Sequence, residues 1–117
     1  MIDVYGIPNC DTVKRARTWL DRQGQAYTFH DFKKQGVPEA ALARWLAALG
    51  WEPLVNRRGT TWRQLDEGTR LAVVDADSAA AALRANPSLV KRPVVEWPGG
   101  AVTVGFDADA WKARIGR

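Results

Sequence analysis

The chain has 117 residues, of which 46% are hydrophobic and 26% are charged. This length suits one domain, and the composition excludes a disordered protein and, with a single cysteine, a disulfide scaffold. The net charge of +4 is compatible with anionic small molecules or nucleic acid but specifies neither, because Lys and Arg are scattered along the chain.

The N-terminal third predicts a strand, a helix and a second strand. Ile2–Tyr5 is rich in β-branched and aromatic residues and stops at Gly6, which is typical of a strand. After the turn at Pro8-Asn9, apolar residues recur at helical spacing until Gly24 ends the helix. Ala26–Phe32 alternates in the manner of a strand. A crossover helix of this kind predicts that the two strands are parallel.

The middle of the chain is predicted to be helical. Pro38 begins a helix with an apolar stripe, and Gly50 ends it. A shorter helix is predicted at Thr61–Leu65. The Ala-rich segment Asp77–Asn86 is predicted to form a third helix, with either of its first two residues as the N-cap.

The C-terminal part predicts a hairpin followed by a helix. Val94–Trp97 and Ala101–Val104 are predicted strands, joined by the turn residues Pro98–Gly100. Asp107 is predicted to cap a last helix that ends at Ile115. Three residues of this helix are predicted to face inward: Ala110, Trp111 and Ile115.

The element order is that of an α/β thioredoxin-like fold. We expect one domain over residues 1–117, with a helical insertion at about 35–87 between the βαβ and ββα halves. The N-terminus lacks a signal-peptide pattern and no apolar run is long enough to cross a membrane, so a cytoplasmic protein without a membrane partner is predicted.

The only cysteine, Cys10, is predicted to be a nucleophile. It falls at the first turn of the first helix, where unpaired amides and the helix dipole favour a thiolate. Its neighbours Asn9, Asp11 and Thr12 are polar, unlike the surroundings of an inert buried thiol, and are predicted to bind substrate. Asp11 either opposes the thiolate by its charge or caps the helix and faces away. Position 13, where a CxxC motif has its second cysteine, is Val13, so the resolving thiol must come from outside, most simply from glutathione.

Arginines are the candidate anion ligands. Arg92, in Lys91–Pro93, would lie at the same end of the sheet as Cys10 and bind a carboxylate or oxyanion, or else it forms a solvated pair with its neighbour. Asn56–Arg63 offers either an anion cradle or an ordinary charged loop. His30 lies in mid-strand without an evident orienting partner, which favours a structural role. No metal-ligand cluster or nucleotide-binding loop is present in the sequence.

Four segments resemble the arsenate reductase/Spx-like family, most closely its YffB-type branch of glutathione-dependent thiol reductases: YGIPNCDTVKRARTWL, LVNRRGTTWRQL, NPSLVKRPVV and VTVGF. The resemblance extends over nearly the whole chain. It implies a thioredoxin-like fold with a helical insertion and a nucleophilic cysteine, matched by Cys10. It also implies an active-site arginine before a cis-proline, matched by Arg92 and Pro93, and an arginine in the insertion, matched by Arg58.

The sequence departs from the family pattern at two of the arginine positions and at the position of the second cysteine. Glutathione-dependent arsenate reductases have three arginines around the cysteine, whereas here one such position is Asn56, followed by Arg57 and Arg58, and another is Gly105-Phe106. Arsenate would therefore lose at least one charge-assisted partner, each worth about 1.5–3 kcal/mol. Spx-type regulators often have a CxxC switch, which Val13 removes.

We therefore predict a monomeric thiol oxidoreductase with no bound cofactor and glutathione as co-substrate, acting on a disulfide or oxyanion and not on nucleic acid. One alternative is an Spx-like regulator that contacts RNA polymerase through the basic helix Lys14–Arg22 or the insertion. The other alternative is a weak arsenate reductase. The sequence leaves open the physiological substrate and which of Arg57 and Arg58 faces the site.

Overall fold

The computed structural model describes residues 1–116, which form two compact units. The first unit contains residues 1–31 and 92–116, and the second is Phe32–Lys91. None of the helices within residues 1–116 has both the length and the apolar character that a bilayer crossing requires. The elements in chain order are β1 (Ile2–Gly6), α1 (Asp11–Arg22), β2 (Tyr27–Asp31), α2 (Phe32–Gln35), α3 (Glu39–Leu49), α4 (Thr60–Gln64), α5 (Glu67–Leu71), α6 (Ala76–Ala85), β3 (Val94–Glu96), β4 (Val102–Val104) and α7 (Ala108–Ile115).

The first unit contains a four-stranded sheet with strand order β2-β1-β3-β4. β1 and β2 are parallel and are connected by α1, whereas β3 runs antiparallel to β1 and β4 antiparallel to β3. The indole Nε1 of Trp97 donates to the Thr103 hydroxyl at 2.9 Å and ties the two ends of the hairpin together. The predicted parallel pair and C-terminal hairpin are confirmed, as is the α/β thioredoxin-like architecture.

The core of the first unit lies between the sheet, α1 and α7. Its buried members are Ile2, Val4, Ala16, Leu20, Val95, Trp97 and Trp111. Trp111 is 2% exposed and contacts Trp97 and Phe106 edge to face, at centroid distances of 5.1 and 4.8 Å. Aromatic pairs of this geometry add about 0.5–1.5 kcal/mol beyond their buried area. This cluster therefore fixes α7 against the sheet.

The last helix begins and ends as predicted. The Asp107 carboxylate accepts the amide hydrogens of Asp109 and Ala110, which is the N-cap arrangement that satisfies first-turn donors. Trp111 is buried and Ile115 packs against the core. Ala110, by contrast, is exposed, so its predicted inward orientation was wrong.

The second unit contains helices α2 to α6. α3 begins after Pro38 and ends at Gly50, as predicted, and Gly50 has φ +76°, a conformation that glycine tolerates best. Trp45 of α3 is fully buried, and its ring lies 6.1 Å from that of Phe32. The Phe32 side chain belongs to α2, a single turn that the sequence pattern did not predict.

The observed N-cap residue of α6 differs from the predicted one. Asp75 caps this helix, because its carboxylate accepts the Ser78 amide at 2.9 Å and the Ser78 hydroxyl accepts the Asp75 amide at 3.0 Å. The sequence had pointed to Asp77 or Ser78 as the cap. The reciprocal pair is a capping box, in which two donors of the helix end are satisfied at once, and this favours the earlier start.

Candidate functional site

Cys10 lies where the loop from β1 enters α1. Its amide donates to the carbonyl of Ile7 at 3.2 Å, and its carbonyl accepts the amide of Lys14 at 2.9 Å. With φ −85° and ψ 127°, Cys10 is the N-cap residue of α1, one position before the first turn in which the sequence placed it. Asp11 is therefore the first helical residue, and its side chain is exposed.

The first-turn amides of α1 are not capped by a side chain within residues 1–116. The Thr12 amide therefore lacks the partner that an N-cap side chain usually supplies, and the Asp11 amide, as the first of the helix, has no intrahelical acceptor. The Thr12 hydroxyl accepts a hydrogen bond from Arg15 Nη2 at 3.4 Å. Cys10 itself is partly exposed. A negatively charged sulfur or oxyanion beside these amides would be stabilised by direct hydrogen bonds and by the helix dipole.

Val13 packs α1 against the end of β1. Its side chain is fully buried, and a Cβ built on Gly6 would lie 2.9 Å from Val13 Cγ2. The absence of a side chain at Gly6 thus permits the close approach that sets the loop before Cys10. Val13, at the position of the second cysteine of a CxxC motif, therefore packs α1 against β1 in this chain.

The start of β3 lies at the same edge of the sheet as the loop to Cys10. In the antiparallel ladder, Tyr5 pairs with Val94, so the next residue pair along the strands brings Pro93 beside Gly6. The Arg92–Pro93 peptide bond is cis, as the family resemblance implied. Pro93 is buried, and its carbonyl accepts the Gly105 amide at 2.9 Å. Strand pairing therefore fixes the backbone next to Arg92.

The guanidinium of Arg92 is available to a ligand. Its side chain is partly buried, yet it has no hydrogen bond or salt bridge within residues 1–116. Lys91 is exposed, and its amide donates to the Leu54 carbonyl at 2.8 Å inside the second unit. Because no described group occupies its donors, the guanidinium could bind a carboxylate or oxyanion in a two-pronged way.

Gly105 and Phe106 occupy the position after the last strand. The Phe106 ring lies 6.2 Å from that of Trp19 and joins the core cluster of the first unit. At the position where the family resemblance implied an arginine, this chain thus has a ring that packs against the hydrophobic core.

The insertion arginines belong to the second unit and differ in their contacts. The guanidinium of Arg57 lies over the Trp51 ring at 5.2 Å. Arg58 is exposed; its amide donates to Asn56 Oδ1 at 3.3 Å and its carbonyl accepts from Arg63 Nη2. These contacts hold Asn56–Arg63 as a local turn. The Arg58 side chain has no partner within the described residues.

His30 has an orienting partner that the sequence analysis missed. Its Nε2 lies 2.9 Å from Asp3 Oδ1 on the neighbouring strand, and its ring stacks on Tyr5 at 4.2 Å. A polar residue between the apolar Ile2 and Val4 was the available signal, since alternation places it on the face opposite them. No described contact joins His30 to Cys10; the described contacts of His30 connect β2 to β1.

Comparison with known proteins identifies the family of this arrangement. The ArsC family model matches residues 5–114. An uncharacterized protein of Haemophilus influenzae is 41% identical, with 97% of each chain covered. The solved structure of the YFFB (PA3664) protein is 46% identical and superimposes with a TM-score of 0.91, covering 97% of this chain and 98% of that one. The global transcriptional regulator Spx of Streptococcus mutans is 23% identical over the full chain and 85% of its own length. The chain belongs to the ArsC family and has its thiol-reductase-like, thioredoxin-like fold.

Proposed function

We propose that this protein is a glutathione-dependent thiol oxidoreductase in which Cys10 is the nucleophile. The observation that carries the proposal is the position of the thiol: Cys10 is the partly exposed N-cap of α1, beside uncapped amides, at the sheet edge where Arg92 lacks a partner. Family membership supports redox chemistry at this cysteine, and the single cysteine of the chain requires an external thiol.

The proposed reaction has two exchange steps. The Cys10 thiolate attacks one sulfur of a substrate disulfide; the new sulfur–sulfur bond forms a mixed disulfide with Cys10, and the other sulfur leaves as a thiolate that takes up a proton. A glutathione thiolate then attacks the substrate sulfur of that mixed disulfide and releases the Cys10 thiolate. When the sulfur carried on Cys10 is itself a glutathionyl group, the product is glutathione disulfide; the substrate sulfur has been released as a thiol, and the one added glutathione has been oxidised in its place.

Each polar group has a proposed role in these steps. The amides of Asp11 and Thr12 stabilise negative charge on the sulfur, because hydrogen bonds aimed at a developing anion act without reorganisation. Arg92 binds a carboxylate of glutathione or of the substrate and adds positive potential beside the thiolate. The exposed Asn9 contributes a neutral hydrogen-bonding side chain at the mouth of the loop. Arg58 lies in the second unit and has no proposed role in these two steps.

The test is turnover of a small mixed disulfide of glutathione, with oxidised glutathione removed by a coupled reductase. We expect wild-type protein to accelerate the reaction and Cys10→Ser to equal the reaction without protein. Mass spectrometry should detect a glutathionyl adduct on wild-type Cys10 when the second glutathione is withheld. A wild-type rate equal to that of Cys10→Ser would refute the proposal.

A second candidate is a regulator that binds RNA polymerase, and the similarity to Spx supports it. Purified polymerase that binds wild type and Cys10→Ser equally well, together with no turnover, would favour this function. Arsenate reduction is a third candidate, supported by family membership. We expect it to be slow, because Phe106 stands where arsenate reductases have an arginine, and a direct arsenate turnover assay tests this.

A further inference from the structure

A second surface feature begins one helical turn after Cys10. A groove of about 420 Å³ runs along α1 and is closed on one side by the residues that lead into α7. The side chains that line it are Lys14, Arg15, Thr18, Trp19, Arg22, Phe106 and Ala108. The volume lies in the lower part of the range for ligand pockets and suits one large apolar side chain together with its flanking backbone.

The rim of this groove is positively charged. Lys14, Arg15 and Arg22 are exposed, and within residues 1–116 none of them has a carboxylate at salt-bridge distance. From Lys14 to Arg22 the helix rises about 12 Å, which corresponds to about four residues of an extended peptide. Three cations over this length present an unsatisfied positive stripe.

The floor of the groove is aromatic. Trp19 and Phe106 are only partly buried, and their rings meet at 6.2 Å with an interplanar angle of 60°. Trp19 also packs edge to face on the buried Trp111 at 6.0 Å, so the floor is held rigidly by the core. A partner that complements a rigid apolar floor between cations has an apolar side chain and negatively charged residues on either side of it.

We propose that this groove docks an acidic segment of a protein substrate, with one apolar side chain seated on Trp19 and Phe106. The inference rests on the proposed function, since it makes the substrate disulfide part of a protein. Lys14 and Thr18 share one row of the helix surface, and Cys10, the N-cap residue, precedes Lys14 by four residues. A segment bound along the groove would therefore place a sulfur a few residues away at the thiol.

Nucleic acid fits this surface less well. Single-stranded nucleic acid requires a track of cations that follows several phosphates, together with rings that bases can stack on. Here the three cations span only about 12 Å of one helix, and the two aromatic rings are engaged with each other and with the core.

The docking test measures peptide binding to the full chain with Cys10→Ser, so that no thiol chemistry contributes. The probes are three labelled ten-residue peptides and a labelled ten-nucleotide thymidine strand, compared by fluorescence anisotropy. One peptide has acidic residues around a leucine, the second replaces the leucine with serine, and the third replaces the acidic residues with lysine. We expect the acidic leucine peptide to bind at least fivefold more tightly than the other probes and to weaken with added salt.

The matched variants are Arg22→Glu and Arg84→Glu. Both arginines are exposed in the last turn of a helix, so the two changes have similar effects on the helix dipole, but only Arg22 lines the groove. An exposed ion pair is worth up to about fivefold in affinity, and reversal adds repulsion to the lost attraction. We expect Arg22→Glu to weaken binding about tenfold and Arg84→Glu to change it less than twofold.

The outcomes separate the docking groove from the thiol function. The docking proposal would be overturned if the acidic and basic peptides bound with equal affinity, or if the two variants had equal effects. It would also be overturned if the thymidine strand bound more tightly than the acidic leucine peptide and Arg22→Glu abolished that binding. Small-disulfide turnover, assayed separately with Cys10 present, is expected to be the same in wild type and Arg22→Glu. Peptide binding without turnover would support the docking groove and overturn the thiol function. Turnover without peptide binding would support the thiol function and overturn the docking groove.

Discussion

Replacing Gly6 with alanine tests how the loop before Cys10 is positioned. Gly6 is the buried last residue of β1, and its φ is not positive, so alanine is compatible with the backbone there. The new methyl would lie 2.9 Å from Val13 Cγ2 and 3.6 Å from Val13 Cγ1. Carbon atoms prefer separations of about 3.5–4.0 Å, so one of the two residues must move by more than half an ångström.

Two opposing effects set the size of the change. Overpacking a well-packed core costs about 1–3 kcal/mol, and Val13 has little freedom, because it is fully buried and a β-branched side chain has one strongly preferred rotamer in a helix. Alanine also restricts the unfolded chain, which stabilises by about 0.4–1 kcal/mol. We therefore expect Gly6→Ala to lower the free energy of unfolding by about 1–2 kcal/mol.

Urea unfolding of a double-mutant cycle with Val13→Ala measures this directly. Val13→Ala alone should destabilise by about 1.5–2.5 kcal/mol, because two buried methyl groups are lost. In that background Gly6→Ala should cost nothing or stabilise slightly, since the methyl enters the vacated space. If Gly6→Ala costs the same in both backgrounds, the contact with Val13 is not its cause and the reasoning is wrong.

Three further predictions concern the site and the two units. Arg92→Ala should lower kcat/KM for small-disulfide turnover by about 10- to 150-fold, the value of one charge-assisted hydrogen bond, with Arg92→Lys retaining part of the rate. Hydrogen bonds from the Ser78 hydroxyl and amide hold the pKa of Asp75 below its ordinary 3.8, so its contribution to stability is present above that pH and is lost as pH falls through the folded pKa. The difference in urea midpoint between wild type and Asp75→Ala should therefore be full at neutral pH and shrink in acid; a constant difference would contradict this. The Arg17 guanidinium lies 4.0 Å over the Phe29 ring and its Nε donates to the Tyr27 hydroxyl, so Arg17→Met should cost about 1 kcal/mol in the same unfolding assay.

The strands and long helices could be predicted because their apolar periodicity agrees with strong end signals. Gly50 and Asp107 mark helix ends by mechanisms that depend only on neighbouring residues. The short helices α2 and α5 could not be predicted, since four or five residues are too few to show a period. The N-cap of α6 was ambiguous for another reason, because three good cap residues occur within four positions and the reciprocal Asp75–Ser78 pair selects among them.

Within the candidate site, sequence reasoning could place Cys10 at the start of the first helix but could not find the contacts that support this position. The place of Cys10 between a strand and a helix is local information. The packing of Val13 on Gly6 and the pairing of His30 with Asp3 arise from strand register and helix docking, which bring together residues that are distant in sequence. For the same reason, the family resemblance implied a missing arginine at 105–106, but the sequence did not indicate how Phe106 packs.

The structure shows why that arginine is not easily restored. Gly105 has φ +78°, which disfavours any side chain there, and its amide is bonded to the Pro93 carbonyl. An arginine at Phe106 would remove a ring that lies 4.8 Å from that of Trp111 in the core cluster. Truncating a core phenylalanine costs about 3–5 kcal/mol, and a partly buried one costs less, but the loss would still be a large part of the stability of a domain of this size. A disulfide carries no charge at the reacting sulfur, whereas arsenate is an anion that needs several cations. The packing of Phe106 therefore supports the proposed disulfide exchange and the expectation that arsenate reduction is slow.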